Sequence, residues 1–538
     1  MNDWENQNLF VILLGLTFLV IFGRLFDLQI LHGKENRHLA EENRFQRILI
    51  PAPRGLIVDR HGEILAQNES IYEMFDSEGE KKILSRDEAL QIQAEGRDIS
   101  LRIDLKRKYL LGETISHVIG YLGEVSDRQL KEGKLELKGY SLGSLIGRAG
   151  IELQYENFLK GKDGSELVEV DTSGKAIRRM VRILPKPGKT LTLAVDKKLQ
   201  EIAAEQMGGK KGAVIATNPE NGEVLLFYSA PSYDNNLFSD NINQNGITRL
   251  ISDEKNFPLL NRVISGLYQP GSTFKIVTST AGLEEKKITS DTLINDPGVI
   301  TINDFKYANW YFTGYGKTEG DINLVRAIIR STDTFFYKLG EMVGIEKLNY
   351  WTDKFNLNKT FGIDLPGELS SFVATPEWKQ RNRGESWFLG NTYHLAIGQG
   401  DMALTPLAVN LMTAVVANGG KICTPRILRI GVENTPYLAD CREIGIKKEN
   451  LDLIKKGMIG ACSTGGTGYP FFDFKPQVAC KTGTAETGDG KTTHAWFTVF
   501  APADKPEIVL TVLVEKGGEG SSVAAPIAKE ILKEYFKD

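Results

Sequence analysis

Three short stretches in this chain carry the residue types needed for acyl transfer through a serine. In order they are Ser272-Thr273-Phe274-Lys275, Ser331-Thr332-Asp333 and Lys481-Thr482-Gly483. A serine hydroxyl is a weak nucleophile until a base removes its proton. Ser272 follows Pro270-Gly271 at a predicted helix start, and i to i+3 spacing predicts the Lys275 amine alongside it. For that amine to act as base near neutral pH, its pKa has to fall from ~10.4 toward ~7–8, a cost of roughly 3–4 kcal/mol. Burial among Phe274, Ile276 and Val277, with positive charge from Lys481, is the expected source of that shift. The backbone N–H groups of Ser272 and Thr484 form a candidate oxyanion hole, in which one donor is worth ~100-fold or more.

Spacing alone does not single out this serine. A second S-x-x-K, Ser252 to Lys255 in "ISDEKNFP", lies in a polar stretch. Taken singly, each motif also has an ordinary explanation: a helix cap, a polar turn, a lysine on an edge strand. Context separates them. K-T-G occurs once, on a predicted strand, S-T-D precedes the apolar helix "TFFYKLG", and Ser272-to-Lys275 opens a helix. Together they point to one site.

The elements that must position these residues are legible as periodic runs. "GAVIATNPENGEVLLFYS", residues 212–229, reads as a hairpin turning at Asn221-Gly222. "QVACKTGTAE", "HAWFTVFAP" and "EIVLTVLVEK" read as three late strands, closed by a helix from about Ala524 to Phe536. Strands early and late, with helices between, imply an α+β domain whose central antiparallel sheet is assembled from both ends and flanked by helices. "PKPGKTLTLAVDKKLQ", residues 185–200, reads as a linker passing into a strand and a helix, and marks a domain boundary. Upstream, residues 32–50 read as a polar helix turning into a strand, and "RGLIVDRHGEILAQN" as a hairpin about D-R-H-G. Residues 147–164 carry Ile151, Tyr155 and Leu159 at helical spacing.

The N-terminal run "LFVILLGLTFLVIFG", extended by Leu25, Phe26, Leu28, Ile30 and Leu31, predicts an uncleaved membrane anchor. Residues 1–8 lack Lys and Arg while Arg24, Lys34 and Arg37 follow the span, which by charge alone argues against a cytoplasmic N-terminus. Large domains, however, are exported regardless of that balance. A net charge of −4 gives no electrostatic case for a nucleic-acid partner. The four cysteines are too few and too irregular to predict a disulfide framework, and neither they nor the scattered histidines predict zinc.

The three motifs are the set found in class A β-lactamases and penicillin-binding proteins. The chain as a whole resembles the class B penicillin-binding proteins, from the anchor to the C-terminus. "RGLIVDRHGEILAQN", "SHVIGYLGEVS" and "GRAGIELQYENFLKGKDG" resemble the family's pedestal signatures. "SAPSYDNNLF", "PLLNRVISGLYQPGSTFK", "STDTFFY", "FGIDLPGE", "AIGQGDMALTPL" and "CKTGTAE" resemble its transpeptidase signatures. The Asn-Leu-Phe after "SYDN" and Asp333, where division-type relatives usually carry Asn, lean toward the elongation type.

The resemblance implies a peptidoglycan D,D-transpeptidase active in cell-wall elongation and cell shape. Ser272 attacks the penultimate D-Ala carbonyl of a stem peptide and Lys275 accepts its proton. Ser331 relays a proton toward the leaving amine, and Asp333 holds the substrate amide or orients Ser331 and Lys275. Lys481, Thr482 and Gly483 bind the substrate carboxylate, and Thr484 adds an oxyanion N–H and a side-chain contact. β-Lactams acylate the same serine. Minor D,D-carboxypeptidase activity is an expected side reaction. The implied layout is a cytoplasmic N-terminus (1–8), an anchor (9–31), an elongated β-rich pedestal with a reduced head (32–195) and a transpeptidase domain (196–538) outside the cytoplasmic membrane. Glycan polymerisation falls to a SEDS-family polymerase, with elongation-complex scaffold proteins as further partners. No cofactor is implied. Some relatives carry Gly-His-Gly and a cysteine that contribute to a zinc site; here "TGYGKTEGD" and Thr332 stand in those places, so no metal is expected.

Three rivals remain open at this point. A division-type transpeptidase differs only in its partners. A β-lactam sensor needs several spans, and a scaffold is expected to lose a catalytic residue. A β-lactamase needs a water-activating base, and the sequence offers none that can be placed.

Overall fold

The computed structural model describes residues 3–75, 81–95, 101–135, 139–170, 176–239, 244–432 and 438–537. Packing divides the chain into two units that interleave along it. One comprises Met1–Gly55, Asn68–Lys106 and Lys160–Lys189; the other comprises Leu56–Gln67, Arg107–Leu159 and Thr190–Asp538. This division differs from one by chain order at 195/196, because residues 107–159 pack with the body that carries the three motifs.

In the first unit the apolar N-terminal run forms a helix, Asp3–Phe26, that widens into a last turn, Asp27–Leu31. From Gln7 to Leu31 it is long and apolar enough to cross a membrane, and none of it is buried in protein. Gly33–Arg44 is helical and leads into Phe45–Ile50, the first strand of a three-stranded antiparallel sheet. Gly164–Val170 is its middle strand and Ala176–Ile183 its far edge.

In the second unit the sheet that carries the K-T-G motif has five strands. β1 (Gly212–Thr217) and β2 (Val224–Ala230) come early, while β3 (Ala479–Glu486), β4 (Thr493–Ala501) and β5 (Ile508–Val514) come late. Their order is β2-β1-β5-β4-β3, all antiparallel, so the two ends of the domain meet where Ile215 pairs with Thr511. β3 is the edge. The strands read as nearly continuous apolar runs because both faces are covered. Val214 and Ala216 face a cluster with Leu199 and Ala203 of α1 (Lys197–Met207) and with Ile527 and Ile531 of α7 (Ala525–Tyr535). Ala213 and Ile215 face a second cluster with Leu407, Leu411 and Val415 of α5 (Pro406–Ala417).

Every residue of α5 is buried, including Asn410. Its amide donates to the carbonyls of Ile215 (3.2 Å) and Val509 (2.9 Å), and its oxygen accepts from Thr217 Oγ1 at 2.6 Å. A fully satisfied polar group of this kind fixes the helix against β1 and β5 in one register. Asp196 caps α1 through the N–H groups of Lys198 and Leu199, and Thr405 caps α5 ahead of Pro406 at N1.

Residues 107–159 are tied into this body by buried polar contacts. Tyr155 donates to Asp364 at 2.7 Å, and the same carboxylate accepts from the N–H groups of Ile427 and Leu428. Asn235 Nδ2 donates to Gly120 O at 3.0 Å, and within the segment itself Arg107 and Glu152 form a 2.7 Å ion pair with almost no solvent contact. Removing one partner of such a pair leaves a buried charge without its counter-ion.

The cysteines correct the sequence expectation. Cys423 is bonded to Cys441 and Cys462 to Cys480, with no free cysteine. Both bridges link residues 18 apart. That regularity is invisible in a count of four, and it arises because each bridge joins a segment to a strand that returns beside it.

Glu152→Ala should lower the unfolding free energy by ~3–5 kcal/mol, measured by chemical denaturation followed by tryptophan fluorescence. An unchanged midpoint would show that Arg107 finds water or another acceptor.

Candidate active site

The turn that carries Ser272 is built against the open edge of β3. Ser272 lies in a tight turn, Gly271–Phe274, that feeds α2 (Lys275–Glu284). Gly271 has φ +54°, and a Cβ there would stand 2.7 Å from the carbonyl oxygen of Thr484. A side chain at either position 271 or 483 would force turn and strand apart, since a Cβ on Gly483 meets Thr273 at 3.0 Å and Pro270 O at 3.1 Å. Trp496 of β4 donates its indole N–H to Gln269 O at 2.9 Å, holding the approach to the turn. Ser272 itself is partly exposed while Thr273 and Phe274 are buried, so the serine is the member of its turn that faces the cleft.

Lys275 points inward and is 1% exposed. Its three N–H groups meet Ser331 O at 2.8 Å, Ser331 Oγ at 3.3 Å and Asp333 Oδ1 at 2.7 Å. The ammonium also lies 5.1 Å from the centre of the Phe336 ring. Here the structure departs from the spacing argument, which set this amine against Ser272. No hydrogen bond joins the two, because the amine's donors are already taken by the middle motif. Ser331 makes that possible by ending α3 (Leu324–Arg330) in the left-handed region, at φ +54°. The reversal turns its hydroxyl and carbonyl, and the Asp333 that opens α4 (Asp333–Val343), onto Lys275.

Lys481 reaches the same hydroxyl from β3. It is 1% exposed and donates to Ser331 Oγ at 2.7 Å and to Thr482 O at 3.0 Å. Thr482 Oγ1 donates to Thr467 Oγ1 at 2.9 Å. Thr484 is exposed, and its carbonyl accepts from Gln399 at 3.4 Å, so it points away from β4. In an extended strand the N–H and C=O of one residue point to the same side, which directs the Thr484 N–H toward the open edge as well. The three sequence motifs therefore converge, with Ser331 Oγ as their shared atom. The Ser252 motif does not join them: Ser252 and Lys255 are exposed, and Ser252 Oγ donates only to Arg249 O at 3.4 Å.

Two amines share one carboxylate. Burial pushes the Lys275 pKa down, opposed by Asp333. Burial, then the charge of Lys275, pushes Lys481 well below the ordinary lysine range, again opposed by Asp333. Lys481 hydrogen-bonds to a hydroxyl and a backbone carbonyl and to no carboxylate.

Several residues here were not legible in the sequence. Asn309 Oδ1 accepts from the Asp333 N–H at 3.2 Å, and the Trp310 N–H donates to Asp333 Oδ2 at 3.3 Å. Thr467 completes the frame, together with Gln399 and Gly398 of the signature "AIGQGDMALTPL"; the Gly398 carbonyl accepts from Gly271 N at 2.9 Å. Asn309, Trp310 and Thr467 lie outside the motifs they support, and nothing in their residue types or spacing ties them to those motifs. A zinc site beside the middle motif does not fit the donors present. Thr332 offers a hydroxyl, and each oxygen of Asp296 already accepts two donors: Gly298 N and Thr334 Oγ1 on one, Asn309 Nδ2 and Glu319 N on the other. Among the described residues no cluster of three His, Cys, Asp or Glu side chains is placed to hold a metal ion.

The profile of the penicillin-binding protein transpeptidase domain matches residues 212–533, and that of the penicillin-binding protein dimerisation domain matches residues 80–193. The chain belongs to the penicillin-binding proteins. It is 33% identical to the peptidoglycan D,D-transpeptidase MrdA of Haemophilus influenzae, over 98% of this chain and 91% of that protein. The penicillin-binding protein PBP2 of Helicobacter pylori, solved in complex with MreC, superposes with a TM-score of 0.78 at 29% identity. That match covers 91% of this chain and 98% of the other. A chain from a structure of a peptidoglycan synthase complex, described as coordinating polymerization and crosslinking, gives a TM-score of 0.78 at 28% identity. It covers 99% of this chain and 98% of its own. The chain is thus a class B penicillin-binding protein, most like PBP2, with the α+β architecture expected from its motifs.

A buried lysine without a carboxylate partner costs stability while it is charged. With its folded pKa depressed, Lys481 penalises the fold fully at low pH, and the penalty lifts as pH rises from the folded value toward the unfolded ~10.4. Lys481→Met should therefore raise the unfolding midpoint near neutral pH, with an advantage over wild type that shrinks as pH rises. The same variant should react at least ~10-fold more slowly with carboxylate-bearing penicillins. Denaturation and acylation rates measured on one preparation check both; a variant less stable at every pH would rule out the electrostatic reading.

Proposed function

We infer that this chain cross-links peptidoglycan as an elongation-type D,D-transpeptidase, through an acyl-enzyme on Ser272. The catalytic class and the elongation type rest on the family and on relatives named as peptidoglycan D,D-transpeptidase MrdA and PBP2. The residue roles rest on one observation: Ser331 Oγ receives N–H groups from both Lys275 and Lys481, beside the turn that presents Ser272.

The steps follow from that hub. In the resting site both lone pairs of Ser331 Oγ are occupied by lysine N–H groups. When Lys275 is neutral it accepts the Ser272 proton as the hydroxyl attacks the penultimate D-Ala carbonyl. The developing oxyanion lies toward the N–H groups of Ser272 and Thr484, on the edge where the nucleophile turn meets β3. Ser331, linked to both amines, passes a proton to the departing D-Ala amine, and the lysines exchange donor and acceptor roles around its oxygen. Lys481, Thr482 and Gly483 receive the terminal carboxylate, with Lys481 as the cation and Thr482 as the hydroxyl donor. Asp333, bound to the Lys275 amine, orients Lys275 and Ser331 rather than reaching for the substrate. An amine from a neighbouring stem peptide then attacks the acyl-enzyme and regenerates Ser272. A β-lactam meets the same groups and remains as the acyl adduct.

We assign residues 9–31 as a single-pass anchor, residues 32–195 as the pedestal and residues 196–538 as the catalytic domain, exported from the cytoplasm. The two disulfides support that orientation, since such bonds form and persist in oxidising compartments. The solved complexes of similar chains, one with MreC and one in a peptidoglycan synthase complex, support scaffold proteins and a SEDS-family polymerase as partners.

Labelled penicillin followed by peptide mapping should modify Ser272 in wild type, no residue in Ser272→Ala, and Ser272 still in Ser252→Ala. A stable adduct on Ser272→Ala would move the nucleophile elsewhere. A reporter enzyme active only outside the cytoplasm, fused after Asp538, should be active; an inactive but intact fusion would reverse the topology.

A further inference from the structure

Asp296 lies 37 residues before Asp333 in the chain and touches none of the three motifs' reacting atoms, yet it is 2% exposed and accepts four hydrogen bonds. Thr334 Oγ1 donates to it at 2.6 Å and Gly298 N at 2.9 Å. Asn309 Nδ2 and Glu319 N donate at 2.9 Å each to its other oxygen. Two of these four donors lead to the catalytic lysine. Thr334 is the residue after Asp333 in the first turn of α4. Asn309, fully buried, turns its amide nitrogen to Asp296 and its oxygen to the N–H of Asp333 at 3.2 Å. The next residue, Trp310, gives its backbone N–H to Asp333 Oδ2, and its indole N–H to Arg330 O at 2.8 Å. The Asp333 side chain is thereby held from one side while its other oxygen takes Lys275.

We propose that Asp296 is a positioning residue for acyl transfer: acting through Asn309 and Thr334, it fixes the Asp333 carboxylate on the Lys275 amine. The inference rests on the transpeptidase reading and adds to it a residue outside the three motifs. The physical reason is geometric. A carboxylate on the first turn of a helix has several rotamers, and the one bonding Lys275 is selected only if the backbone at 333 and its neighbour cannot shift. One buried carboxylate that binds four donors from four segments supplies that rigidity.

The charged and titratable groups around this chain of contacts are few. Asp333 faces Lys275, with Lys481 beyond it through Ser331, and Tyr337, whose phenol is pushed up by burial and by Asp333 and keeps its proton. Asp296 faces neutral donors only, because the Glu319 carboxylate turns away to Arg326 at 2.8 Å and Arg330 at 2.6 Å. Since Asp333 favours the charged form of both lysines, releasing it lets their amines become neutral at lower pH.

The test is the rate of acylation by a fluorescent penicillin across pH, on the full detergent-solubilised chain. Four forms are compared: wild type, Asp296→Asn, Asp333→Asn and the double variant. Asp296→Asn should slow acylation roughly 10- to 100-fold. It should also move the acidic limb of the profile to lower pH in the same direction as Asp333→Asn, and the double variant should be little slower than the slower single one. Asp296→Glu should recover part of the rate and of the pH profile. An acidic limb unmoved by Asp296→Asn, with losses that multiply in the double variant, would reduce Asp296 to a stability role and overturn the proposal. Wild type failing to label at Ser272 would overturn the transpeptidase reading itself, a distinct result. Should Asp296→Asn not accumulate as folded protein, Asn309→Ala cuts the link to Asp333 and carries the same comparison.

Discussion

Two lysines buried beside a single carboxylate set the terms for this site. A charged amine removed from water is penalised heavily unless it is paired, and here one pairing is direct and the other runs through a hydroxyl. The site therefore favours states in which one amine is neutral, which is what a general base requires. The same imbalance explains why the hydroxyl between them is held by donors from both sides. Ser331 belongs to neither the helix that Lys275 opens nor the sheet, and its backbone reversal is what lets a third segment reach both.

That arrangement demands a rigid frame on every side. The Ser272 turn is pressed against the sheet edge closely enough that positions 271 and 483 have no room for a side chain. The sheet is fixed in turn by α5, whose one buried amide bridges two strands. Cys480 precedes Lys481 directly, and its bridge to Cys462 holds the start of that edge strand to the C-terminal end of α6 (Lys448–Ala461). Such a covalent tie limits how far the strand carrying Lys481 can lift from the hydroxyl it serves.

Much of this was legible in the chain itself. The five strands announced themselves as apolar runs at both ends of the domain, and the Asn221-Gly222 turn gave the first hairpin. The motifs identified Ser272, Lys275, Ser331, Asp333 and Lys481, and all but Ser272 are joined by direct hydrogen bonds. What spacing could not reveal was direction. An i to i+3 rule places Lys275 near Ser272, but which acceptors win its three hydrogens depends on a segment more than fifty residues away. The cysteine pairs were missed for a related reason, since pairing depends on which strands return side by side. Asn309 and Asp296 left no signal because an amide before a short helix and a carboxylate at the end of a short strand are ordinary until the fold buries them.

The sheet that carries the site is closed by its last strand. β1 has no contact with β3 except through β5 and β4, and β5 is made after every residue of the three motifs. Until β5 is in place, β2-β1 and β4-β3 are two separate halves with no strand pairing between them. Long-range pairing of this kind forms late and slowly, because the intervening loop must close before any contact rewards it. The segment that brings Lys481 to Ser331 is thus joined to the early hairpin of the domain only when the final strand slots between the two halves of the sheet.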